Sequence, residues 1–278
     1  MNRFDTHHHL WSLAGIERGD YPWMPPDGPL REEYLPDRLA PELAAAGVTG
    51  TIVVQASPSV AETRYLLDLA ANTGFILGVT GWLPLDQPDA LPELAADPYF
   101  LGVRPMLQDL PDDDWIGRPE VRDGLRALAG AGVRFEALTF TRHLPTLYAV
   151  LSELPELTVV LDHLSKPAYD WEADAGWRTW LGRLAELPNT WCKLSGLLTE
   201  VEPSAASVER FVPYAAFAFE RFGEDRVLFG SDWPVSRLRG EYGDVVRFTE
   251  ELVSAAGLGD SAGFWRTNGE RCYGVRVP

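Results

Sequence analysis

The segment TVVLDH at positions 158–163 places apolar residues directly before an aspartate and a histidine. An apolar run of this kind, without alternating polar residues, is typical of a parallel strand that is covered on both faces. Similar runs occur elsewhere, such as TIVVQ at 51–55 and VLF at 227–229, and each leads into a longer segment that can form a helix. This alternation of short strands and helices indicates an α/β architecture.

Eight candidate strands can be placed in this way. They cover Arg3–Leu10, Thr51–Gln55, Ile76–Trp82, Gly102–Met106, Val133–Leu138, Thr158–His163, Thr190–Leu194 and Arg226–Phe229. The intervals carry helix signals, for example Ser59 followed by Glu62 at the spacing of a capping box. Eight strands that each precede a helical interval predict a single-domain (β/α)8 TIM-like barrel over residues 1–278. A doubly wound sheet is the alternative, but no GxGxxG motif follows the first strand.

The composition limits the classes of partner. Hydrophobic residues make up 46% of the 278 residues, charged residues 23%, and the formal net charge is −17. Such acidity argues against binding to nucleic acid or to an anionic membrane surface, because phosphate recognition needs a basic face. Neither Cys192 nor Cys272 belongs to a CxxC pair, and the first ten residues lack the apolar core of a signal peptide. We therefore expect a cytoplasmic protein that acts on a small molecule.

The carboxyl ends of the strands carry the active site in barrels of this type. Residues that can bind or react stand near most of the predicted ends: His7, His9, Gln55, Trp82, Arg104, Glu136, His163, Lys193 and Asp232. Because side chains alternate along a strand, His7 and His9 share one face, while His8 faces the layer between barrel and helices. Three imidazoles from His7, His9 and His163 and the Asp232 carboxylate suit one divalent ion such as zinc, with an open position for water.

Each of these residues also has a purely structural explanation. An HxH pair alone is a weak signal, His163 can be a hydrogen-bonded core histidine, and Asp232 can cap a helix or occupy a turn. His143 is expected to be an exposed loop residue. The functional interpretation rests on the joint placement of the four groups at strands one, six and eight.

Four further side chains are candidates for substrate binding: Arg104, Gln55, Trp82 and Lys193. Arg104 offers a planar, two-pronged donor for a carboxylate, although a salt bridge explains it equally well. Trp82, together with Trp115 and Tyr21, can form a pocket wall or pack beneath the long loops. Lys193 can bind substrate or pair with a carboxylate such as Glu136.

Six motifs, taken together, resemble the amidohydrolase superfamily. They are FDTHHHLW at 4–11, QASP at 55–58, GVR at 102–104, LDHLSKP at 161–167, CKLSG at 192–196 and FGSDWP at 229–234. More narrowly, they resemble its lactonase branch, which includes L-fuconolactonase-like, L-rhamnonolactonase-like and 2-pyrone-4,6-dicarboxylate lactonase-like proteins. The resemblance extends from about residue 3 to residue 273, and the motifs of strands six and eight are the most specific.

The resemblance implies a TIM-like barrel that opens the lactone ring of a sugar acid or of an aromatic-degradation product. Residue by residue, His7 and His9 match the HxH of the family, His163 its histidine at strand six, and Asp232 its aspartate at strand eight. The chain departs from the wider superfamily at strand five, which no histidine closes, and at strand four, where Arg104 stands in place of a bridging lysine or glutamate. The resemblance therefore implies at most one metal ion, and catalysis without metal is also compatible with it.

The hypothesis for mechanism assigns catalysis to Asp232 and His163. Asp232 acts as general base on a water molecule that attacks the lactone carbonyl. One metal ion, or the three histidines as hydrogen-bond donors, stabilises the developing oxyanion, and Arg104 orients the substrate. Two alternatives remain: a metal-dependent, non-oxidative decarboxylase of the same superfamily, and a barrel that binds a ligand without catalysis.

Overall fold

The fold is an eight-stranded barrel in which each strand pairs in parallel with the next one along the chain. The computed structural model describes residues 2–258 and 261–278. The strands are β1 Arg3–His8, β2 Val48–Val54, β3 Ile76–Gly81, β4 Phe100–Val103, β5 Arg134–Ala137, β6 Val159–Leu161, β7 Thr190–Leu194 and β8 Val227–Phe229. The barrel closes just past β8, where the N–H of Asp232 donates to the carbonyl of His7 at 2.8 Å. The predicted α/β barrel is thus confirmed, and the doubly wound alternative is wrong.

Helices follow each strand, and the longer ones cover the outside of the barrel. They are α1 Leu13–Arg18, α2 Pro36–Ala46, α3 Val60–Ala71, α4 Leu91–Leu94, α5 Pro119–Ala131, α6 Leu144–Leu151, α7 Ala175–Glu186, α8 Val208–Phe222, α9 Tyr242–Ala255 and α10 Asn268–Tyr273. Helix α3 starts at the predicted cap, because the Ser59 hydroxyl accepts the N–H of Glu62 at 3.1 Å. The Glu62 carboxylate binds the N–H groups of Ala56 and Ser57, so only half of the predicted capping box forms.

Strand β1 contains one residue more than the matching part of β2. Asp5 pairs with Thr51, but His8, three residues later, pairs with Val53, only two residues later. A bulge of this kind reverses the alternation of side chains. Phe4 points into the apolar interior, and after the bulge His7 also points inward, where it meets Lys193 of β7. The bulge therefore aims the HxH pair at the barrel axis.

The amino-terminal end of the barrel is closed by the C-terminal segment. Cys272, Tyr273 and Val277 pack against interior residues of the barrel such as Phe4 and Val160. Arg134, the first residue of β5, donates to the carbonyl of Cys272 at 3.0 Å. With this end filled by side chains, the open end for a ligand is the carboxyl end of the strands.

Two expectations about single residues are corrected by the structure. His143 is not exposed: it is 2% accessible, and its Nδ1 accepts the N–H of Phe140 at 2.9 Å in the turn that starts α6. Strand β6 ends at Leu161 and not at His163, because residues 163–166 all have positive φ angles that cannot continue a strand. Among the described residues, no helix is both long and apolar enough to cross a membrane.

Gly124→Ala is expected to destabilise the protein, whereas Gly130→Ala in the same helix, α5, is expected to stabilise it. A Cβ atom at position 124 would lie 1.9 Å from the backbone carbonyl oxygen of Leu85, while one at position 130 would have nothing within 4 Å. We expect G124A to lose about 1–3 kcal/mol of unfolding free energy, as overpacked cores do. We expect G130A to gain about 0.5–1 kcal/mol from helix propensity. Urea denaturation measures both, and equal effects would contradict the close approach of α5 to residue 85.

Candidate active site

A cavity of about 280 Å³ opens at the carboxyl end of the barrel. Its floor includes His9, Arg104, His163 and Asp232, which sequence analysis had placed at strand ends. Its wall is formed by loop residues that include Trp23, Met106, Lys166 and Glu200. His7 is fully buried directly below this floor, with its ring centroid 4.6 Å from that of His163. The structure thus brings together the four groups that were predicted to form one centre.

The three imidazoles converge on a single carboxylate oxygen. Oδ1 of Asp232 lies 3.3 Å from Nε2 of His9, 3.7 Å from Nε2 of His7 and 3.9 Å from Nε2 of His163. In a tetrahedral zinc site with bonds of about 2.0–2.1 Å, neighbouring ligand atoms are roughly 3.3 Å apart. The three distances from Oδ1 are close to this spacing, and His7, His9 and Asp232 each place one ligand atom within 4.8 Å of the others.

The hydrogen bonds on the other side of two of these rings orient them for ligation. Nδ1 of His9 lies 2.8 Å from the carbonyl oxygen of Val54, which can only accept, so Nδ1 carries the proton. Nε2, on the other side of the ring, faces Oδ1 of Asp232 and is the nitrogen that a metal ligand would use. Nδ1 of His163 is held by the Ser195 hydroxyl at 2.8 Å. Three nitrogens with one carboxylate are a donor set that suits zinc, and hydrogen bonds of this kind commonly orient the histidine ligands of a metal ion.

His7 is held from below by a buried group of charges. Its Nδ1 lies 3.3 Å from Oδ1 of Asp162 and 3.1 Å from Nζ of Lys193. The same ammonium group contacts Asp162 at 3.1 Å and forms an ion pair with Glu136. Burial and the Lys193 charge keep the pKa of His7 well below its ordinary value. His7 is accordingly a neutral imidazole, whose buried Nε2 has no hydrogen-bond partner among the described residues.

Two of the four site residues have backbone conformations that L-amino acids seldom adopt. His163 has φ of 53° and Asp232 has φ of 56°. Such left-handed conformations typically cost about 1–3 kcal/mol each and are common at functional sites. The turn at 163–166 is held by tertiary contacts, since Trp177 of α7 donates its indole N–H to the carbonyl of Leu164 at 2.7 Å. Gly196 is needed beside it, because a Cβ atom there would lie 2.5 Å from Nδ1 of His163.

Asp5 connects the first strand to the loop after the eighth. Its Oδ1 accepts the N–H groups of His7 at 3.0 Å and Ser231 at 2.9 Å, and its Oδ2 accepts the Tyr242 hydroxyl at 3.0 Å. These bonds fix the bulge in β1 and the backbone that leads into Asp232. Asp5 therefore positions two of the four convergent groups without reaching the cavity.

The residues predicted to bind substrate are placed differently from one another. Arg104 lines the cavity, and its guanidinium donates to the carbonyl of Gln55 and lies 3.6 Å from Asp162. Gln55 is fully buried and uses its amide to bind the carbonyl of Arg104 at 2.7 Å, so it supports Arg104 from behind. Trp82 lies in a neighbouring cavity. Lys193 is fully buried and does not line the cavity. Of the two roles predicted for it, substrate binding and pairing with a carboxylate, the structure shows the ion pair with Glu136.

Two residues that orient the site, Asp162 and Asp5, are not among the candidates from the sequence. Ser195 stands at the end of strand seven in the sequence, but its role of holding His163 is visible only in the structure. Asp162 could have been noticed, because a carboxylate within an apolar strand requires a buried partner. The partner itself, Lys193, comes from another strand, and no local pattern predicts their contact.

The chain is similar to known proteins over nearly its whole length. The model of the amidohydrolase family matches residues 4–275. An L-fucono-1,5-lactonase of Burkholderia ambifaria is 43% identical over 245 residues, which are 87% of this chain and 83% of that protein. An L-fucono-1,5-lactonase of Burkholderia multivorans is 34% identical in an alignment that covers 99% of this chain and 97% of that protein. A crystal structure of an amidohydrolase from Burkholderia multivorans with bound zinc superposes with a TM-score of 0.91 at 33% identity, covering 99% of this chain and 100% of that one.

Proposed function

This chain belongs to the amidohydrolase family, and from that premise we propose that it hydrolyses the lactone of a sugar acid to the open-chain acid. The observation that carries the proposal is the convergence of three imidazole nitrogens on one carboxylate oxygen at the floor of an open cavity. The L-fucono-1,5-lactonases that share 34–43% identity with the chain make L-fucono-1,5-lactone the first substrate to test.

Asp232 is the general base. Its contacts to the imidazoles all use Oδ1, which leaves Oδ2 to accept a proton from the attacking water. The water oxygen bonds to the carbonyl carbon, the ring C–O bond breaks, and Asp232 returns the proton to the departing ring oxygen. A divalent ion held by His7, His9, His163 and Asp232 would supply Lewis-acid polarisation of the carbonyl.

The charges around the cavity favour a neutral, hydroxylated lactone over one with extra carboxylates. Arg104 is engaged by the Gln55 carbonyl and Asp162, and Lys166 forms an ion pair with Glu200 at 2.7 Å. Neither cation is left free to neutralise a substrate carboxylate. The Lys166–Glu200 pair instead offers a donor and an acceptor to sugar hydroxyls at the wall of the cavity.

The direct experiment is a pH-indicator assay with L-fucono-1,5-lactone and other aldonolactones. Ring opening releases acid, so the indicator responds to hydrolysis, whereas a decarboxylase would release carbon dioxide from an aromatic or enol acid. We expect acid release from at least one aldonolactone well above spontaneous hydrolysis. Absence of turnover across the panel, with binding of a lactone retained, would favour a barrel that only binds.

We expect purified protein to carry one divalent ion per chain, with zinc as its best fit. The measurement is elemental analysis before and after dialysis against a chelator, followed by lactone turnover and its recovery with added zinc. The matched variant is His9→Ala, which should lower the ion content because it removes one of the four convergent donors. Full turnover in demonstrably ion-free protein would assign the three histidines to hydrogen bonding.

A further inference from the structure

A second concave surface lies beside the catalytic cavity at the same end of the barrel. This tryptophan cleft is lined chiefly by Trp23, Trp82, Trp115, Leu83, Met106 and Leu110 and has a volume of about 660 Å³. Its side chains come from the loops after β1, β2, β3 and β4. The three indoles are half-buried, and each lines the cleft.

The tryptophan cleft adjoins the catalytic cavity. Trp23 and Met106 line both, and along the chain Arg104 faces the catalytic cavity while the next residue, Pro105, faces the cleft. Trp23 is held in this position by its indole N–H, which donates to the carbonyl of Ala56 at 2.6 Å. A substrate group that extends past Trp23 and Met106 would enter the cleft.

The chemistry of the lining selects the kind of group that fits. Among the described residues, the cleft contains no lysine, arginine or histidine, and its charged members are Asp86 and Asp109, which are exposed. A carboxylate or phosphate would therefore meet negative charge and apolar walls. Binding of an uncharged hydrocarbon to such walls is favourable, because it removes the apolar surface of both the ligand and the cleft from water.

We propose that the tryptophan cleft binds an alkyl substituent of a lactone, and that the protein also hydrolyses alkyl-substituted δ-lactones to the corresponding hydroxy acids. The proposal rests on the proposed lactone hydrolysis at the adjoining cavity. Water adds to the carbonyl carbon, the ring C–O bond breaks, and the alkyl group stays on the carbon that becomes the alcohol. Each methylene buried in the cleft is expected to raise kcat/KM about three- to fourfold.

The test compares kcat/KM for δ-valerolactone, δ-octalactone and δ-decalactone, whose side chains have zero, three and five carbons. In the parent protein, we expect kcat/KM for δ-decalactone to exceed that for δ-valerolactone by more than about 100-fold. In Trp115→Ala, this ratio of kcat/KM values should fall at least tenfold. Leu110→Ser, a smaller change in the same cleft, should lower the ratio in the same direction. Trp180→Ala is the matched control, because Trp180 packs against Tyr148 on the outer helices, and it should leave the ratio unchanged.

Two results would overturn the proposal. One is that kcat/KM of the parent protein does not depend on the length of the alkyl side chain of the lactone. The other is a dimer in sedimentation experiments that Trp115→Ala dissociates, since the cleft would then be an interface between copies. If no lactone is hydrolysed, the proposed function fails, and the cleft is then tested alone with 6-pentylpiperidin-2-one, the stable lactam analogue of δ-decalactone. This lactam should quench the tryptophan fluorescence of the parent protein, and it should quench that of Trp115→Ala less.

Discussion

Asp232→Asn is expected to lower kcat for lactone hydrolysis by about 10²–10⁴-fold, the range in which general bases contribute. The amide that replaces the carboxylate cannot accept a proton from water at neutral pH. It also takes negative charge away from the oxygen on which His7, His9 and His163 converge. The measurement is the steady-state rate with the best aldonolactone found for the parent protein.

Two further measurements separate the roles of Asp232. The ion content of the variant shows whether the carboxylate acts as a metal ligand, while kcat at saturating zinc shows whether it acts as a base. Asp225→Asn is the matched control, because Asp225 lies just before β8 but is exposed and away from the cavity. An Asp232→Asn protein with the turnover of the parent would refute the assignment of the base.

Lys193→Met is expected to cost about 3–5 kcal/mol of unfolding free energy, the usual result of removing one partner from a buried ion pair. The Lys193 ammonium lies between Glu136 and Asp162, and all three side chains are fully buried. Without it, two carboxylates would share an apolar interior with no cation between them. Burial lowers the pKa of Lys193, but the carboxylates of Asp162 and Glu136 outweigh this effect and raise the pKa above its ordinary value.

Urea denaturation of Lys193→Met measures this loss, and a pair of variants gives its cause. Adding Glu136→Gln to Lys193→Met removes one of the stranded charges and should recover part of the stability. Arg126→Ala breaks an exposed pair with Asp123 and should change stability by less than about 1 kcal/mol. A Lys193→Met protein as stable as Arg126→Ala would mean that the buried charges are not coupled.

The contacts of Lys193 also explain why it is not a surface residue of the site. Its ammonium group forms ion pairs with Glu136 and Asp162. The hydroxyl of Tyr273, in the C-terminal helix α10, donates a hydrogen bond to the same Glu136. A chain of buried contacts therefore runs from the closed end of the barrel to Nδ1 of His7 at the floor of the active site. The apolar packing around it keeps water from competing for these charges.

Local sequence patterns were sufficient for the architecture and for the four groups that the structure brings together at the floor of the cavity. Apolar runs such as TVVLDH and the helix signals between them predicted eight strands, and the strand ends identified His7, His9, His163 and Asp232. These inferences succeed because the periodicity of apolar residues is a local property, and because a parallel barrel collects the carboxyl ends of all its strands at one face.

What only the tertiary structure decided is how these groups are held and what surrounds them. The bulge in β1 depends on register with β2, and the orientation of His7 depends on Asp162, which follows β6, and on Lys193 of β7. The tryptophan cleft is assembled from four loops. Contacts between residues far apart in the chain leave no periodic signal, because their distances are set by the packing of whole elements. The sequence thus determined which residues could form the reaction centre, and long-range packing decided their geometry and the shape of the space beside them.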